Sequence, residues 1–222
     1  MPRTVTPPTT EPAADAPVEL KEACVRAAHE FIAEHGLERL SLREVARRLG
    51  VSHQAPYKHY PSRDHLLAEV IRRCFRQFAD YLDDRGEHAD PREDLGALGR
   101  RYLSFAAEHP LEYRLMFGTP WPAPAEQLGL VEDARHALDV LRAVLRRIHG
   151  AGRAQRTRVD LDAMFIWSQM HGLASITQAN VMDHLGLVPQ AGRQMVPHAM
   201  HMLSLAMAAA SVGPTAEDRG SA

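Results

Sequence analysis

The stretch GVSHQAPYKHYPSRDHL, residues 50–66, places histidine, glutamine, tyrosine and lysine side chains on a short segment that contains a proline. Packing alone does not require this mixture of side chains. Ser52 is suited to cap a helix that ends near Tyr60, before Pro61. Pro56 lies close to the start of this predicted helix, where a missing backbone N–H costs least. The segment therefore reads as a short helix with a polar, exposed face.

Another short helix is predicted immediately before this segment. Ser41 is the expected N-cap, Glu44 stands at the capping-box position, and Gly50 ends the helix. Two short helices joined by a three-residue linker with a glycine at the turn indicate a helix-turn-helix. In such a unit the helix after the turn, the recognition helix, lies in the major groove of DNA. Here the recognition helix is the one predicted from Ser52 to about Tyr60.

The residue types of the recognition helix suit contacts with DNA. His53 and Gln54, near its start, can form hydrogen bonds with base edges, and glutamine is well matched to adenine. Tyr57 and Lys58 suit the phosphate backbone, whereas Tyr60 is expected to anchor the core. The predicted DNA-contacting residues are Ser41, Arg43, Ser52, His53, Gln54, Tyr57, Lys58, His59 and Arg63.

The charge distribution agrees with this interpretation. Residues 39–76 contain nine arginine and lysine residues but only three acidic ones, which gives a local charge of plus six and leaves minus eight for the remainder. A basic N-terminal module on an acidic body is typical of a surface that meets phosphates. An arginine-rich surface that is simply solvated is the alternative interpretation of the charge alone.

Outside this region the chain also reads as helical. Apolar stripes predict helices over residues 20–36, 62–82, 92–108, 110–117, 124–149, 159–184 and 189–212, with no alternating β-type segment and no internal repeat. We therefore predict an all-α fold of about nine helices. The predicted organisation is a disordered tail (1–17), a helix-turn-helix head (18–64), an effector-binding and dimerisation body (65–212) and a second disordered tail (213–222).

Residues 27–71, AAHEFIAEHGLERLSLREVARRLGVSHQAPYKHYPSRDHLLAEVI, resemble the DNA-binding domain of TetR-family transcriptional regulators. The end YKHYPSRDHL is especially diagnostic, although Tyr60 stands where many members have Phe and Arg63 where many have Lys. The resemblance puts the predicted contact residues, Ser52 apart, on DNA-contact positions of the family. It also implies a homodimer that binds a pseudo-palindromic operator, acts as a repressor and is released by a small effector.

The stretches EHPLEYRLMFG and WSQMHGLASI resemble the body of family members described by a Trp-His-Gly motif, here Trp167, His171 and Gly172. Trp167 and His171 share a helix face. Ordinary core and dimer packing is one interpretation of these residues. The other is a largely apolar effector cavity, whose ligand could be a lipophilic drug, an acyl compound or an aromatic metabolite. Its predicted lining residues are Tyr102, Phe105, Met116, Phe117, Trp121, Met164, Trp167 and His171.

The last two predicted helices, 159–184 and 189–212, resemble the pair that forms a four-helix dimer bundle in this family. Their apolar residues are too many for a single stripe, so a partner should cover the face that the body leaves open. The fourth predicted helix, 62–82, starts in the head and ends in the body. We expect it to transmit the effect of a bound ligand to the recognition helix.

Several other classes of protein are disfavoured. No GxSxG, GxxxxGK or HExxH motif and no glycine-rich dinucleotide loop is present, so we predict neither an enzyme nor a cofactor. His198 and His201 have a spacing that suits a metal, but no other ligand lies close in sequence, so no metal site is predicted. A helical enzyme or a protein-interaction module with a nonspecific basic face remains the alternative to a regulator.

The expected compartment is the cytoplasm. Residues 1–20 lack the apolar core of a secretory signal, and the longest apolar run is too short to span a bilayer. Cys24 and Cys74 have no metal-type spacing and are expected to be buried free thiols. The predicted partners are double-stranded operator DNA, a small-molecule effector and a second copy of the chain, with no membrane.

Overall fold

A computed structural model describes residues 16–86, 88–123, 129–150, 152–179 and 184–211, with side chains omitted at 16–18, 154, 210 and 211. Over these residues the chain forms eight α-helices and two 3₁₀ helices and no strand, so the predicted all-α fold is confirmed. The α-helices are α1 (Ala16–His35), α2 (Leu42–Leu49), α3 (Arg63–Asp83), α4 (Pro91–Glu108), α5 (Pro110–Phe117), α6 (Leu130–His149), α7 (Arg153–Gln178) and α8 (Pro189–Ser211). The 3₁₀ helices are Leu37–Arg39 and Pro56–Lys58.

The chain divides into two units. We call Met1–Val70 with Trp121–Leu128 the head, and Ile71–Pro120 with Gly129–Ala222 the body. The division falls inside α3, which begins in the head and continues without a break into the body. The predicted domain boundary at residue 64 also falls inside α3. The predicted tails lie outside the described residues, apart from positions 16 and 17, which begin α1.

The core of the head forms where α1 packs against α2 and against the 3₁₀ helix Pro56–Lys58. Buried side chains of α1 recur at the spacing of one helical face, including Cys24, Ala28, Phe31 and Ile32. The short helix α2 contributes Leu42, Val45 and Ala46, all buried.

The ends of α2 follow the sequence signals closely. The Ser41 side chain accepts a hydrogen bond from the Glu44 N–H at 3.2 Å, as an N-cap does. At the other end Gly50 is left-handed, with φ 66°, and the N–H of Val51 donates to the carbonyl of Ala46. These are the features of a Schellman motif, which a glycine forms with least strain. The first helix of the predicted pair is thus confirmed.

The predicted third helix, from Ser52 to about Tyr60, is wrong in its type. Residues 53–55 form turns and Pro56–Lys58 form a 3₁₀ helix. We call residues 52–60 the recognition segment, and it contains no α-helix. Pro56 has no N–H and therefore cannot donate to Ser52, which interrupts an α-helical ladder at its first turn. The N–H of Ala55 instead bonds the Ser52 carbonyl over three residues, and the His59 N–H bonds the Pro56 carbonyl in the same way.

In the body, α4, α6 and α7 pack against one another, while α5 and α8 pack against α4. The most completely buried side chains include Phe105 of α4, Leu115 and Met116 of α5 and Leu145 of α6. These residues come from three helices, of which α4 packs against both α5 and α6.

A fully buried carboxylate ties three parts of the body together. Asp94, 0% exposed, lies 2.6 Å from Nε of Arg85 and also pairs with Arg147 of α6. Arg147 in turn donates to the carbonyl of His88 at 2.6 Å. A buried carboxylate is tolerated only when charged partners and hydrogen bonds compensate for its lost hydration, and two guanidinium groups do so here.

The boundaries of two body helices differ from their predicted positions. Helix α7 begins at Arg153, before the predicted start at 159, because polar residues such as the preceding arginines and glutamine also form helix. Val159 is the first apolar residue of α7 that the structure describes as buried. The described part of α6 begins at Leu130, and residues 124–128 of its predicted span lie outside the described residues. No helix in the described ranges has the length and apolarity needed to cross a membrane.

The two cysteines are free thiols buried in helices, as predicted. Cys24 lies on α1 and Cys74 on α3. Burial raises the pKa of both thiols, that of Cys74 to about 12.

Candidate functional site

The recognition segment presents its polar side chains to solvent. His53, Gln54, Tyr57 and Lys58 are all exposed, and the Tyr57 ring is 49% exposed. Nε2 of Gln54 lies 3.1 Å from Nε2 of His53, so the two side chains are adjacent. Pro56 is buried beneath them and fixes the segment to the core of the head. An exposed aromatic ring beside amide, imidazole and ammonium groups suits a nucleic acid better than a protein core.

The start of α2 adds a second polar surface. Ser41 is half-buried as the N-cap, and Arg43 is exposed in the first turn. Ser41 also lines a cleft of about 460 Å³ together with Arg39, Arg47 and Phe31. A helix N-terminus with exposed guanidinium groups nearby is a favourable place for a phosphate oxygen.

The basic residues of the head differ in whether they already form ion pairs within the chain. Arg47 pairs with Glu44 at 2.7 Å, and Arg48 lies 2.6 Å from Glu34. Arg39, Arg43 and Lys58 are exposed and have no ion pair among the residues that the structure describes. These three cations, like Lys21 and Arg26 of α1, are therefore available to phosphate groups. Arg39 was counted in the basic segment of the sequence but was not predicted as a contact residue.

Arg63 has a structural task within the head. Its Nε donates to the carbonyl of Leu40 at 3.1 Å, and one of its terminal nitrogens donates to the carbonyl of Leu37 at 2.8 Å. These bonds hold the turn that precedes α2. The planar guanidinium group donates to both carbonyls from two different nitrogens. The side chain is 37% exposed, and its contact with DNA stays a prediction.

The remaining predicted contact residues have different surroundings. Ser52 is exposed and His59 is half-buried. Tyr60 is 4% exposed and its hydroxyl donates to the carbonyl of Lys21, 3.3 Å away. The prediction that Tyr60 anchors the core is confirmed.

The body contains a buried chain of polar side chains. The Tyr113 hydroxyl lies 2.7 Å from Nδ1 of His171 and 2.9 Å from the Tyr102 hydroxyl. Tyr102 and Tyr113 are 7% and 3% exposed, whereas His171 is half-buried. When Tyr113 donates to Nδ1, the imidazole proton resides on Nε2, and the oxygen of Tyr113 is free to accept from Tyr102.

Burial sets the protonation of this chain. Burial raises the pKa of Tyr102 well above its ordinary range and that of Tyr113 to about 12, so both are neutral phenols. The pKa of His171 is lowered, again by burial, which favours the neutral imidazole. The three groups thus form an uncharged hydrogen-bonded chain in an otherwise apolar part of the body.

Aromatic rings surround this chain. The Phe117 ring contacts Trp167 at 5.9 Å and His171 at 5.3 Å between centroids, and Trp167 lies 6.5 Å from His171. Phe78 of α3 packs against Tyr102 and Phe117 from another side. We call Tyr102, Tyr113, Phe117, Trp167 and His171 the aromatic-histidine cluster.

The structure brings together only part of the predicted effector lining. Tyr102, Phe117, Trp167 and His171 belong to the cluster, and Phe105 contacts it through Phe78. Met116 is buried in α5, and Met164 is 49% exposed on α7. Trp121 is 40% exposed and is grouped with the head.

The predicted effector lining did not include Tyr113. It lies four residues before Phe117 in the stretch EHPLEYRLMFG, so the two share a face of α5. Their ring centroids are 5.0 Å apart. This i, i+4 spacing was the signal that could have placed Tyr113 beside Phe117.

An all-helical chain whose head contains a helix-turn-helix-like pair of short segments defines a class, the helical DNA-binding regulators. The family model described as "Bacterial regulatory proteins, tetR family" matches residues 25–70. A second, "Tetracyclin repressor-like, C-terminal domain", matches residues 95–203. The chain belongs to the TetR family of transcriptional regulators, and its N-terminal domain is the DNA-binding domain of that family.

Similar proteins agree with this assignment. An HTH-type transcriptional regulator of Mycobacterium tuberculosis (strain ATCC 25618 / H37Rv) is 31% identical over 111 residues, which cover 49% of this chain and 47% of that protein. A regulator of Mycobacterium bovis matches to the same extent. The chain thus spans about half the length of the curated relatives it matches.

Solved structures extend the likeness to most of the chain. A protein of unknown function from Rhodococcus sp. RHA1 is 26% identical, with a TM-score of 0.67, and covers 84% of this chain and 94% of that chain. The fatty acid degradation regulator FadR from Bacillus halodurans is 17% identical, with a TM-score of 0.58, and covers 87% of this chain and 96% of its own. The likeness to FadR shows the fold alone.

Proposed function

We propose that this chain is a ligand-responsive repressor of transcription that binds a pseudo-palindromic operator as a homodimer and is released by a small, largely apolar effector. The observation that carries the proposal is the exposed group of His53, Gln54, Tyr57 and Lys58 above the buried Pro56. A regulator of this kind would work in the cytoplasm, where its operator is accessible.

The head offers two kinds of contact with DNA. His53 and Gln54 are adjacent and can read base edges in the major groove. Arg43, Lys58 and the N-terminus of α2 at Ser41 suit phosphates, and Arg39 joins them as a further candidate. Phosphate contacts would supply affinity and base contacts would supply sequence preference.

DNA binding is tested by incubating the purified chain with fragmented genomic DNA of its source organism at near-physiological salt and sequencing what is retained. We expect a pseudo-palindrome. Gln54→Ala should relax the preference at one base position in each half-site, at a cost of about 1–3 kcal/mol in discrimination. Lys58→Ala should weaken binding to all sequences alike and lower the salt dependence.

Lys21→Ala, which removes the same charge from α1, is the matched control and should leave affinity within about twofold. Equal losses for specific and random DNA in the Gln54→Ala variant would contradict base readout and favour a nonspecific basic face. Retention of no sequence in the presence or absence of small molecules would reopen the enzyme and protein-interaction alternatives.

Support for a homodimer comes from apolar side chains that the body leaves exposed on α7 and α8. Leu161, Met164 and Phe165 of α7 are 66%, 49% and 44% exposed, and Met202 and Leu205 of α8 are each 51% exposed. On α7 these residues recur at three- and four-residue spacing, so they share one face. A second copy of the chain would cover such a face, as two-fold symmetric regulators require.

The dimer is tested by sedimentation of the full chain and of Phe165→Glu. We expect the wild type to sediment as a dimer and the variant to dissociate, because the partner would bury the new charge. Ala107→Glu introduces the same charge at an exposed position of α4 and should leave the dimer intact. A wild-type monomer at micromolar concentration would contradict the proposal.

The aromatic-histidine cluster is the part of the body best suited to an effector. Its half-buried members, Phe117, Trp167 and His171, form the edge at which a ligand would enter. With Tyr113 donating to Nδ1, His171 offers an Nε2–H donor, so a ligand with an apolar body and one hydrogen-bond acceptor would fit best. A lipophilic drug, an acyl compound and an aromatic metabolite all meet this description.

Helix α3 is the element through which a ligand would act on the head. It runs from Arg63, which holds the turn before α2, to the region of Phe78, whose ring contacts the cluster. At 1.5 Å per residue the helix is about 30 Å long. A ligand that favours a displaced α3 by about 1–3 kcal/mol would change operator affinity by about fivefold to 150-fold.

Effector binding is tested with Trp121→Phe, which leaves Trp167 as the only tryptophan. Decanoate, benzoate and rhodamine 6G serve as probes of the three ligand classes. We expect one class to change the Trp167 emission and to release operator DNA, and His171→Ala to weaken both effects. A probe that releases DNA equally well from His171→Ala would contradict the assignment of this cluster as the effector site.

A further inference from the structure

A second cleft, of about 560 Å³, lies on the body where α4 begins, α6 ends and α7 begins. It shares no residue with the aromatic-histidine cluster, so it is a separate feature of the body. Its lining residues are Asp90, Pro91, Arg92, Arg147, Ile148, His149, Gln155 and Arg158.

Three arginines from three different helices line this cleft. Arg92 comes from α4, Arg147 from α6 and Arg158 from α7. Residues distant in sequence are thus brought to one place by the fold, which distinguishes this cleft from a run of charge along one exposed helix. Guanidinium groups are the preferred protein ligands of phosphate because their planar forks donate two parallel hydrogen bonds.

Two members of the lining are held in place before any ligand arrives. Arg147 pairs with the buried Asp94 and donates to the carbonyl of His88, so its orientation is fixed. His149, whose side chain is 6% exposed, lies 2.8 Å from Oδ2 of Asp162. Because Arg147 is already oriented by its own hydrogen bonds, a ligand would meet less conformational cost on binding.

The other two arginines remain available. Arg92 is exposed, and its guanidinium group has no partner within the described part of the chain. Arg158 lies 3.7 Å from Asp162, a loose ion pair at 37% exposure. Asp90, the one acidic residue of the lining, already accepts a hydrogen bond from the N–H of Arg92 as the N-cap of α4.

The start of α7 is electrostatically unbalanced in the same place. Its N-cap, Gly152, provides no side-chain bond, and its first turn contains no acidic residue. Residues 146–158 contain five arginines and no acidic residue, and Arg153 and Arg156 stand in or beside that first turn. The positive end of a helix next to guanidinium groups is unfavourable alone and becomes favourable when an anion lies between them.

We propose that this cleft binds the phosphate or diphosphate group of a small soluble anion. Arg92 and Arg158 would donate to its oxygens, with Arg147 fixed behind them. This site is distinct from both the DNA surface of the head and the apolar effector site, and it does not depend on either. A ligand bound there would stabilise the end of the body where three helices meet.

The test is isothermal titration of the full chain with inorganic pyrophosphate at about 0.1 M salt. We expect saturable binding with one site per chain. Arg92→Ala/Arg158→Ala should lower the affinity at least about tenfold, because both charge-assisted bonds are lost. Arg147 is left unchanged because its loss would remove one of the two charged partners of the buried Asp94. A circular-dichroism melt of each variant verifies folding.

Two control variants keep the proposal falsifiable. Arg135→Ala/Arg193→Ala removes the same charge from exposed positions of α6 and α8 outside the cleft and should leave the affinity within about twofold. Arg43→Ala/Lys58→Ala weakens the DNA surface of the head and should also leave pyrophosphate binding unchanged. A loss in either control equal to that of the cleft variant would overturn the proposal, as would binding that does not saturate. Binding to vesicles of phosphatidylglycerol without binding to pyrophosphate would overturn it too.

Discussion

The hydroxyl of Tyr113 on α5 lies 2.7 Å from Nδ1 of His171 on α7, and their rings stack with centroids 5.7 Å apart. This contact joins the two sequence stretches that resemble the body of the Trp-His-Gly regulators. The tyrosine therefore fixes the tautomer and the orientation of the motif's histidine.

Removing the Tyr113 hydroxyl should destabilise the body. Tyr113→Phe removes the hydroxyl that bridges Nδ1 of His171 and the hydroxyl of Tyr102, and leaves those two atoms with only the longer contact of 3.5 Å between them. We expect a loss of about 1–3 kcal/mol in the free energy of unfolding, measured by urea denaturation. Tyr57→Phe removes a hydroxyl from a side chain that is 49% exposed and should change stability by less than about 0.5 kcal/mol. Equal effects of the two substitutions would contradict the buried chain of hydrogen bonds.

His171 should make stability depend on pH. Burial lowers its pKa below the ordinary value of about 6.5, so between these two values the unfolded chain binds one proton more than the folded chain. The free energy of unfolding should therefore fall as the pH drops below about 6.5 and stop falling, for this group, below the folded-state pKa.

The measurement is a series of urea titrations from pH 7.5 down to pH 5. His171→Asn, which cannot take up the proton, should show a shallower decline than the wild type. Other histidines titrate in both proteins, so the difference between the two curves isolates this residue. Parallel curves would mean that His171 carries the same pKa in both states.

Asp94 should be among the most sensitive polar positions. Asp94→Ala leaves Arg85 and Arg147 without their buried counter-charge, and we expect a loss of about 3–5 kcal/mol in the free energy of unfolding. Asp84→Ala breaks the ion pair with Arg101 at a side chain that is 84% exposed and should cost less than about 1 kcal/mol. Guanidinium denaturation of both variants compares a buried with an exposed aspartate. A cost under about 1 kcal/mol at Asp94 would contradict its structural role.

Two glycines with free space around them should respond with opposite signs. Gly50 has φ 66°, and a Cβ there would meet no atom within 4 Å, so Gly50→Ala should cost about 1 kcal/mol through backbone strain alone. Gly192 lies inside α8, also with no atom within 4 Å, so Gly192→Ala should stabilise the helix by about 0.5–1 kcal/mol. Thermal unfolding of the two variants gives the signs, and a stabilising Gly50→Ala would show that the left-handed turn is not maintained.

Much of the head could be predicted from local sequence signals. Ser41 and Gly50 act through their own backbone bonds, so the ends of α2 could be read from adjacent residues. The recognition segment was wrongly predicted as α-helix because Ser52 looks like an N-cap and the following residues are polar. The missing N–H of Pro56 acts within the first turn and favours 3₁₀ geometry instead.

Contacts between distant residues could not be read in the same way. The bonds from Arg63 to Leu37 and Leu40 span more than twenty residues, and nothing in the local pattern distinguishes them from a phosphate contact. Asp94 lies in the first turn of α4, and its pairing with Arg147 of α6 links residues 53 positions apart. Periodicity predicts which face is buried, whereas polar partners across helices depend on how the helices pack.

The buried thiols of Cys24 and Cys74 have a practical consequence. With the pKa of the Cys74 thiol raised to about 12 and both groups shielded, neither supplies an accessible thiolate at neutral pH. The native chain is therefore almost unreactive toward maleimide reagents. A single cysteine introduced at an exposed position such as Gln54 or Lys58 can carry a spin label or a fluorophore without prior removal of the natural residues. The distance between two such labels in a pair of copies would report directly on how far apart the recognition segments stand.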